Sequence, residues 1–356
     1  MSLEIEKKPI KDFLILAGKI VKGSELSILS TLKVEIAPGG LKLSGTNLKV
    51  WITEYFPYIP TVMEHTGSYS AEGTISLLGI KAFLQGPEKY ITEEMLREFQ
   101  FSNISADRFP DTPYVLDDNS MQGTLKDLKV LQYIDKCKSG DDSRYFMQGT
   151  YFEHSEDGLK LVATDGCRMA CASNQNMNPS CRGYPNLIVG NIQFLKGWKV
   201  NNLDYYIPAC TNQIVFQSGF REIALPTIEG QFPNYTRVIP DTFGKPTVVY
   251  GPDILNAFKE VKQEVALLGI NYNRLPAHRV SFEGLEVKFN ISDTIDVTVQ
   301  NPFPKEFPVA VFTMDYLIDA FSYKENYDLY ESVPERAWVI EIPSKDIMHV
   351  IMPLVI

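Results

Sequence analysis

The clearest alternation of apolar and polar positions in the chain runs through Gly158-Leu159-Lys160-Leu161-Val162-Ala163-Thr164. Leu159, Leu161 and Ala163 face one way, and Lys160 and Thr164 the other, as a half-buried strand requires. Asp165-Gly166 follows, and a second alternating run starts near Cys167. An Asp-Gly pair between two such runs is a hairpin signal, because glycine supplies the positive φ of the turn. The same plan (a glycine, an alternating strand, a short polar turn, a second strand) recurs at Gly40 to Val50 and at Gly284 to Ile291. The lead glycines, at 40, 158 and 284, are 118 and 126 residues apart. That spacing is too long for a solenoid and matches a small domain. Three copies of one domain are expected.

A helix opens each copy. Over 11–22, Phe13, Leu14, Ala17, Ile20 and Val21 fall at helical spacing. Leu125, Leu128, Leu131 and Ile134 do so over 125–138, and Ile254, Leu255, Phe258, Val261 and Val265 over 252–265. A second helix is expected later in each copy, at 74–85, 190–198 and 314–322. Strands are expected at 31–36, 150–154, 213–217, 221–225, 247–250, 279–282, 308–312 and 337–342. The breakers Phe109-Pro110-Asp111-Thr112-Pro113 and Pro240 to Pro246 divide the chain. The fold expected is α+β: three similar domains, 1–116, 117–245 and 246–356, each with two helices packed on antiparallel sheets.

Charge changes the picture at one point. Lys and Arg number 34 against 44 Asp and Glu, a formal net charge of −10. Nucleic-acid binding usually carries a basic footprint, but where the cations sit matters more than their sum. Here Lys11, Lys19 and Lys22, then Lys126, Lys129 and Lys136, then Lys259 and Lys262 lie off the apolar stripes of the three opening helices; Lys196 lies in the expected helix 190–198 and Lys199 just after it. Lysine stripes on three equivalent helices of an acidic chain set a nucleic-acid surface beside the plainer reading of solvated helix faces.

Residues arranged for chemistry are few. Asp165 lacks the partner carboxylates and glycine-rich loop of a phosphoryl-transfer site. Cys167 with His154 lacks an orienting motif for a thiol nucleophile. Asp141-Asp142 and Glu93-Glu94 read as loop charges. The five cysteines (137, 167, 171, 181, 210) show no paired spacing, and the four histidines (65, 154, 278, 349) no metal spacing. No cofactor, metal or catalytic constellation is expected, so a binding or scaffold role is favoured over a hydrolase using Asp165 or Cys167. With no apolar run of about 18 residues and no signal-peptide core, a cytoplasmic protein without a membrane span is expected.

Five stretches carry a resemblance. Leu161-Val162-Ala163-Thr164-Asp165-Gly166-Cys167-Arg168-Met169-Ala170 resembles the V-A-T-D-G-H-R-L-A stretch of the bacterial sliding clamps, the β subunits of DNA polymerase III. Phe232-Pro233-Asn234-Tyr235-Thr236-Arg237-Val238-Ile239-Pro240 is similar to their F-P-D-Y-R-R-V-I/L-P, Arg144-Tyr145-Phe146-Met147 to R-Y-Y-L, and Val350 to Ile356 to a C-terminal V-V-M-P-M-R-L. Thr46-Asn47-Leu48 matches their T-D-L. The resemblance implies a DNA-clamp fold whose chains join head to tail as a homodimeric ring. Such a ring encircles duplex DNA without reading its sequence, its helices facing the DNA. It tethers the polymerase for processive synthesis and is opened by a clamp loader. Polymerase, loader and repair proteins would dock short Gln- and Leu/Phe-containing peptides in a groove. Carried over by motif, the groove comprises Arg144, Met147, Thr164, Gly166, Cys167, Arg168, Met169, Pro233, Arg237, Val238, Val350, Met352, Pro353, Leu354, Val355 and Ile356, with Tyr316 closing one side. Adaptable thioethers and positioning arginines suit that task. The chain departs from the family pattern at Cys167 (usually His), Thr236 (Arg) and Val355 (Arg), at Ser24 and Gly140-Asp141-Asp142, and around 86–101. It thus resembles a divergent clamp; a clamp-derived scaffold that no longer encircles DNA is the alternative.

Overall fold

A computed structural model describes residues 4–21, 27–59, 69–175, 183–198, 200, 202–209, 211–240, 244–267, 279–284, 286–292, 295–300, 307–330 and 337–354, with side chains except at 261–262, 264–266 and 279–310. The chain forms two compact units: 1–128 with 176–178 and 189–228, and 129–175 with 179–188 and 229–356.

In the first unit, eight antiparallel strands lie in the order Met121–Leu125, Leu203–Ile207, Gln213–Ser218, Arg221–Ile228, Trp51–Pro57, Gly40–Thr46, Thr31–Ala37 and Ala71–Ser76. The helix Lys7–Val21 buries Ile10, Phe13, Leu14, Ala17 and Ile20, and the strands bury Leu32, Val34, Leu41, Leu43 and Ile52. Gly45 allows the close approach: a Cβ there would meet Leu32, Val21 and Ile52. In the second unit, Thr247–Tyr250, Asn326–Tyr330, Trp338–Ile342, Ile347–Ile351, Arg168–Ala172, Gly158–Thr164 and Thr150–Ser155 follow one another antiparallel. A separate sheet orders Ile295–Gln300, Glu286–Ser292, Arg279–Gly284 and Phe307–Thr313.

Element order repeats along the chain. From Met121 and again from Thr247 it runs strand, helix, four strands, helical turn, three strands. From Glu4 the same order holds until the strand Tyr90–Thr92, after which the short helix Glu93–Arg97 takes the place of the closing strand pair. The repeat reaches atomic detail in the hairpin turns. Thr164 Oγ1 donates to the Arg168 carbonyl (2.7 Å) and accepts from Gly166 N–H, while Asp165 Oδ1 accepts from Cys167 and Arg168 N–H. Thr46 and Asn47 make the same four bonds to Val50, Leu48, Lys49 and Val50, 118 residues earlier. Gly166 has φ +91°, and Leu48, in its place, φ +70°.

Several expected helices are shorter than their apolar spacing predicts. Thr74 to Ser76 belong to a strand, and the helix starts at Leu77 because the Ser76 hydroxyl caps Gly79 N–H. The expected helix 190–198 is a single turn, Ile192–Leu195, bracketed by left-handed Asn191 and Gly197. Leu125 ends a strand paired with Leu203–Ile207, so Lys126 precedes the helix Leu128–Ile134 instead of riding on it. The first helix begins earlier, at Lys7, and the third spans Gly251–Leu267. The expected helix 314–322 is Met314–Ala320.

Leu48 holds a left-handed conformation that costs a branched residue about 1–2 kcal/mol. Leu48→Gly relieves that cost, less the extra chain entropy that glycine brings to the unfolded state. The expected result in urea unfolding is a gain of about 0.5–1 kcal/mol.

Candidate functional site

The Thr164–Arg168 turn forms one wall of a cleft of about 300 Å³ in the second unit. Gly166, Cys167 and Arg168 come from the turn, Thr164 and Met169 from the strands it joins, and Arg144, Phe146 and Met147 from the helical turn Asp142–Met147. Pro233, Asn234, Tyr235 and Val238 close the far side, and Val350 and Met352 the floor. The lining is mainly apolar, with Arg144 and Arg168 at the edges, as suits a short amphipathic ligand. Of the residues expected here, Arg144, Met147, Thr164, Gly166, Cys167, Arg168, Met169, Pro233, Val238, Val350 and Met352 are brought together.

Arg237 is exposed on the turn Tyr235–Val238 but does not line the cleft. Pro353 and Leu354 also lie outside the lining. Leu354 N–H donates to the Val311 carbonyl (2.7 Å), and Met352 N–H to the Cys167 carbonyl (3.0 Å), so the tail is tied down as backbone. Val355 and Ile356 lie outside the described residues. Tyr316 contributes indirectly: its ring carries the Arg168 guanidinium, 4.2 Å from the centroid. Burial, with Asp165 beside it, pushes its hydroxyl up to about 12.

Arg168 holds the site together. Its side chain is 9% exposed and reaches Asp165 Oδ2 (3.1 Å), Asp319 Oδ2 (2.9 Å) and the Lys136 carbonyl (2.8 Å). A buried cation flanked by two carboxylates is costly to dismantle, about 3–5 kcal/mol, because the remaining charges lose their partner. Arg144 Nη1 donates to the Asp165 carbonyl (3.0 Å) and sits 2.8 Å from where a Cβ on Gly166 would stand. A side chain on Gly166 would displace the guanidinium of Arg144, whose side chain is half exposed. Asp165, its carboxylate committed to three N–H donors, and His154, 2.8 Å from the Pro185 carbonyl through Nδ1, are both engaged structurally.

Phe146, Asn234 and Tyr235 are lining residues that motif matching passed over. Tyr235 is fixed by a short hydrogen bond from its hydroxyl to Glu153 Oε2. Its signal in sequence was the aromatic of the Phe-Pro-Asn-Tyr run, and that of Phe146 its place between two assigned residues.

The helix lysines divide. Lys11, Lys19, Lys196 and Lys259 are exposed, and Lys19 and Lys196 share a cleft of about 350 Å³ in the first unit with Arg221 and Trp198. Lys129 is exposed on its helix. Lys136 is a correction: it pairs with Asp319 (3.5 Å) and donates to Ser322 Oγ, so its charge is used within the protein. Lys126 lies off the helix. Lys22 and Lys199 lie outside the described residues, as does the Lys262 side chain. Among the described residues no cluster of three metal-ligating side chains occurs, and no helix is long and apolar enough to cross a membrane.

No family model matches the chain. It is 25% identical over 317 residues to the beta sliding clamp of Escherichia coli K12, spanning 84% of this chain and 79% of that protein. It is 26% identical over 170 residues to the beta sliding clamp of Synechococcus elongatus, a match that spans 46% of this chain and only 45% of that protein. The crystal structure of the Bacillus subtilis DNA polymerase sliding clamp superposes with a TM-score of 0.78 at 17% identity, covering 100% of this chain and 99% of that one. The fold is that of the sliding clamps.

Behind the cleft floor, His349 is fully buried on the strand Ile347–Ile351, its Nδ1 3.8 Å from Cys137 Sγ and its ring 4.9 Å from that of Tyr133. Burial, reinforced by the Arg168 and Lys136 charges, lowers its pKa from 6.5 to about 3. The unfolded chain binds this proton first, so stability falls as pH drops below about 6.5, by about 1.4 kcal/mol per pH unit until the folded-state pKa is reached. Urea unfolding at pH 7, 5.5 and 4.5 is expected to show this slope, shallower by about one proton in His349→Phe. Identical slopes would contradict the assignment.

Proposed function

We infer that this chain, a divergent bacterial beta sliding clamp, works as a DNA sliding clamp: a ring of two copies that encircles duplex DNA and tethers a polymerase for processive synthesis. The observation that carries the reading is the full-length correspondence of fold, the Bacillus subtilis clamp being matched along 100% of this chain. The element order supports reading the repeats as domains 1–116, 117–245 and 246–356.

DNA contact rests on phosphates. Lys11, Lys19, Lys129, Lys196 and Lys259 present exposed ammonium groups on the helices or beside the short turn, in a chain whose net charge of −10 repels DNA elsewhere. Contacts of that kind are independent of sequence and weaken with salt. A ring needs no more, since topology does the holding. Ring closure is assigned to a second copy. In the first unit Ala71–Ser76 ends the sheet, its Thr74 carbonyl already taken by Ser102 N–H (2.6 Å), and Leu78, 80% exposed on the adjoining helix, offers apolar surface. A clamp loader would open the ring, and work of this kind belongs in the cytoplasm. The protein serves as an accessory subunit with no chemistry of its own.

Partners dock in the cleft beside the Thr164–Arg168 turn. Met147, Met169 and Met352 adapt to Leu or Phe side chains, and Arg144 serves the polar part of a peptide. With Cys167 in place of the family's histidine, the polar anchoring rests on Arg144 and backbone groups of the turn. A fluorescein-labelled polymerase peptide carrying Gln and Leu/Phe is expected to bind, and Met352→Ala, at a 42% exposed position, to weaken it about tenfold while leaving the melting temperature unchanged. Absence of binding to the unaltered protein, or equal binding by the variant, would contradict the assignment.

A further inference from the structure

The first unit has a second cleft, of about 390 Å³, on the sheet face that points away from its helix-covered core. Core positions alternate with those of this face, so Lys33, Lys42, Thr53 and Tyr55 point into it while Val34, Leu43 and Ile52 are buried behind. Residues 109–114, which connect the first repeat to the second, cross this face and raise one wall. The turn at Gly219-Phe220 raises the other.

Three features describe what would fill it. Aromatic rings surround it: Trp51, Tyr55, Phe109, Tyr114 and Phe220, the last 62% exposed and edge-on to Tyr55 at 5.8 Å. Its two lysines are neutralised, Lys33 by Glu72 (2.7 Å) and Lys42 by Glu35 (3.1 Å). That leaves Glu222 and Asp111 as carboxylates in the lining outside any ion pair. Glu222 is hydrogen-bonded by the neutral Gln217 amide (3.2 Å), and burial raises its pKa against the weaker opposing pull of the Lys42 charge. The Trp51 indole N–H, on a side chain 7% exposed, has no acceptor.

We propose that this cleft is a second docking site, which receives a Lys or Arg side chain from an extended segment of a partner protein. The cation would lie against the ring faces and beside Glu222 and Asp111, as cations do in aromatic cages. An anionic ligand is disfavoured by the surplus carboxylates, and a purely apolar one by the buried charge it would leave unpaired. The site is independent of the methionine-lined cleft, and its test does not require clamp activity.

The chain has three tryptophans. In full-length protein labelled with 5-fluorotryptophan, Trp51→Phe identifies the Trp51 resonance among them. Titration with acetyl-Ala-Arg-Ala-amide is expected to move that resonance saturably and leave the other two in place, with acetyl-Ala-Glu-Ala-amide inert. Glu222→Gln, which keeps an acceptor for Gln217, and the exposed Phe220→Ala are each expected to weaken the response about fivefold without lowering the melting temperature. An unmoved Trp51 resonance, an equal response to the Glu peptide, or unchanged affinity in both variants would overturn the proposal.

Discussion

The guanidinium of Arg168 is the interaction on which the methionine-lined cleft depends. From one buried position it grips the Asp165 carboxylate of its own turn, the carbonyl of Lys136, and Asp319 of the helix Met314–Ala320, and it lies on the ring of Tyr316. These groups are scattered over more than half of the sequence, and none of them is in the cleft's lining. Their effect is to fix a hairpin turn whose backbone must adopt positive φ at Gly166 and offer the Cys167 carbonyl to Met352. A planar, always charged donor suits this better than lysine would, because its fork meets several acceptors at once.

The same turn shows how a repeat is preserved while its use changes. At Thr46–Val50 the hydrogen bonds are those of Thr164–Arg168, yet Asn47 replaces the aspartate, Leu48 the glycine and Val50 the arginine. The threonine hydroxyl and the Asx side chain suffice to build the turn. The charge and the glycine at 165–168 serve the cleft: Arg144 lies where a side chain on Gly166 would stand. Geometry common to both copies is therefore structural, and what differs between them marks the specialised one.

Much of this was legible in the chain. Strict alternation and Asp-Gly located the hairpin, and eleven of the expected groove residues line one cleft, because they sit on paired strands and tight turns whose local chemistry is strong. Helix lengths were less legible. A left-handed Asn191 or a cap at Ser76 stops a helix whose apolar spacing would carry on. Lys126 misled because Leu125 fits a helical stripe and a strand equally well, and its pairing with Leu203–Ile207 decides between them. Lys136 reads as a free cation until folding brings Asp319 beside it. Tertiary partners of that kind leave no local trace.

The central claim is that the protein holds DNA by encircling it, with modest phosphate contact from a few exposed lysines. Retention of the protein on nicked circular DNA after loading by a clamp loader, followed by gel filtration before and after a single restriction cut, tests it most directly. The account predicts co-elution with the circle through moderate salt and release once the DNA is linear. Protein that stays bound to the linear form, or that never associates with the circle, would contradict it.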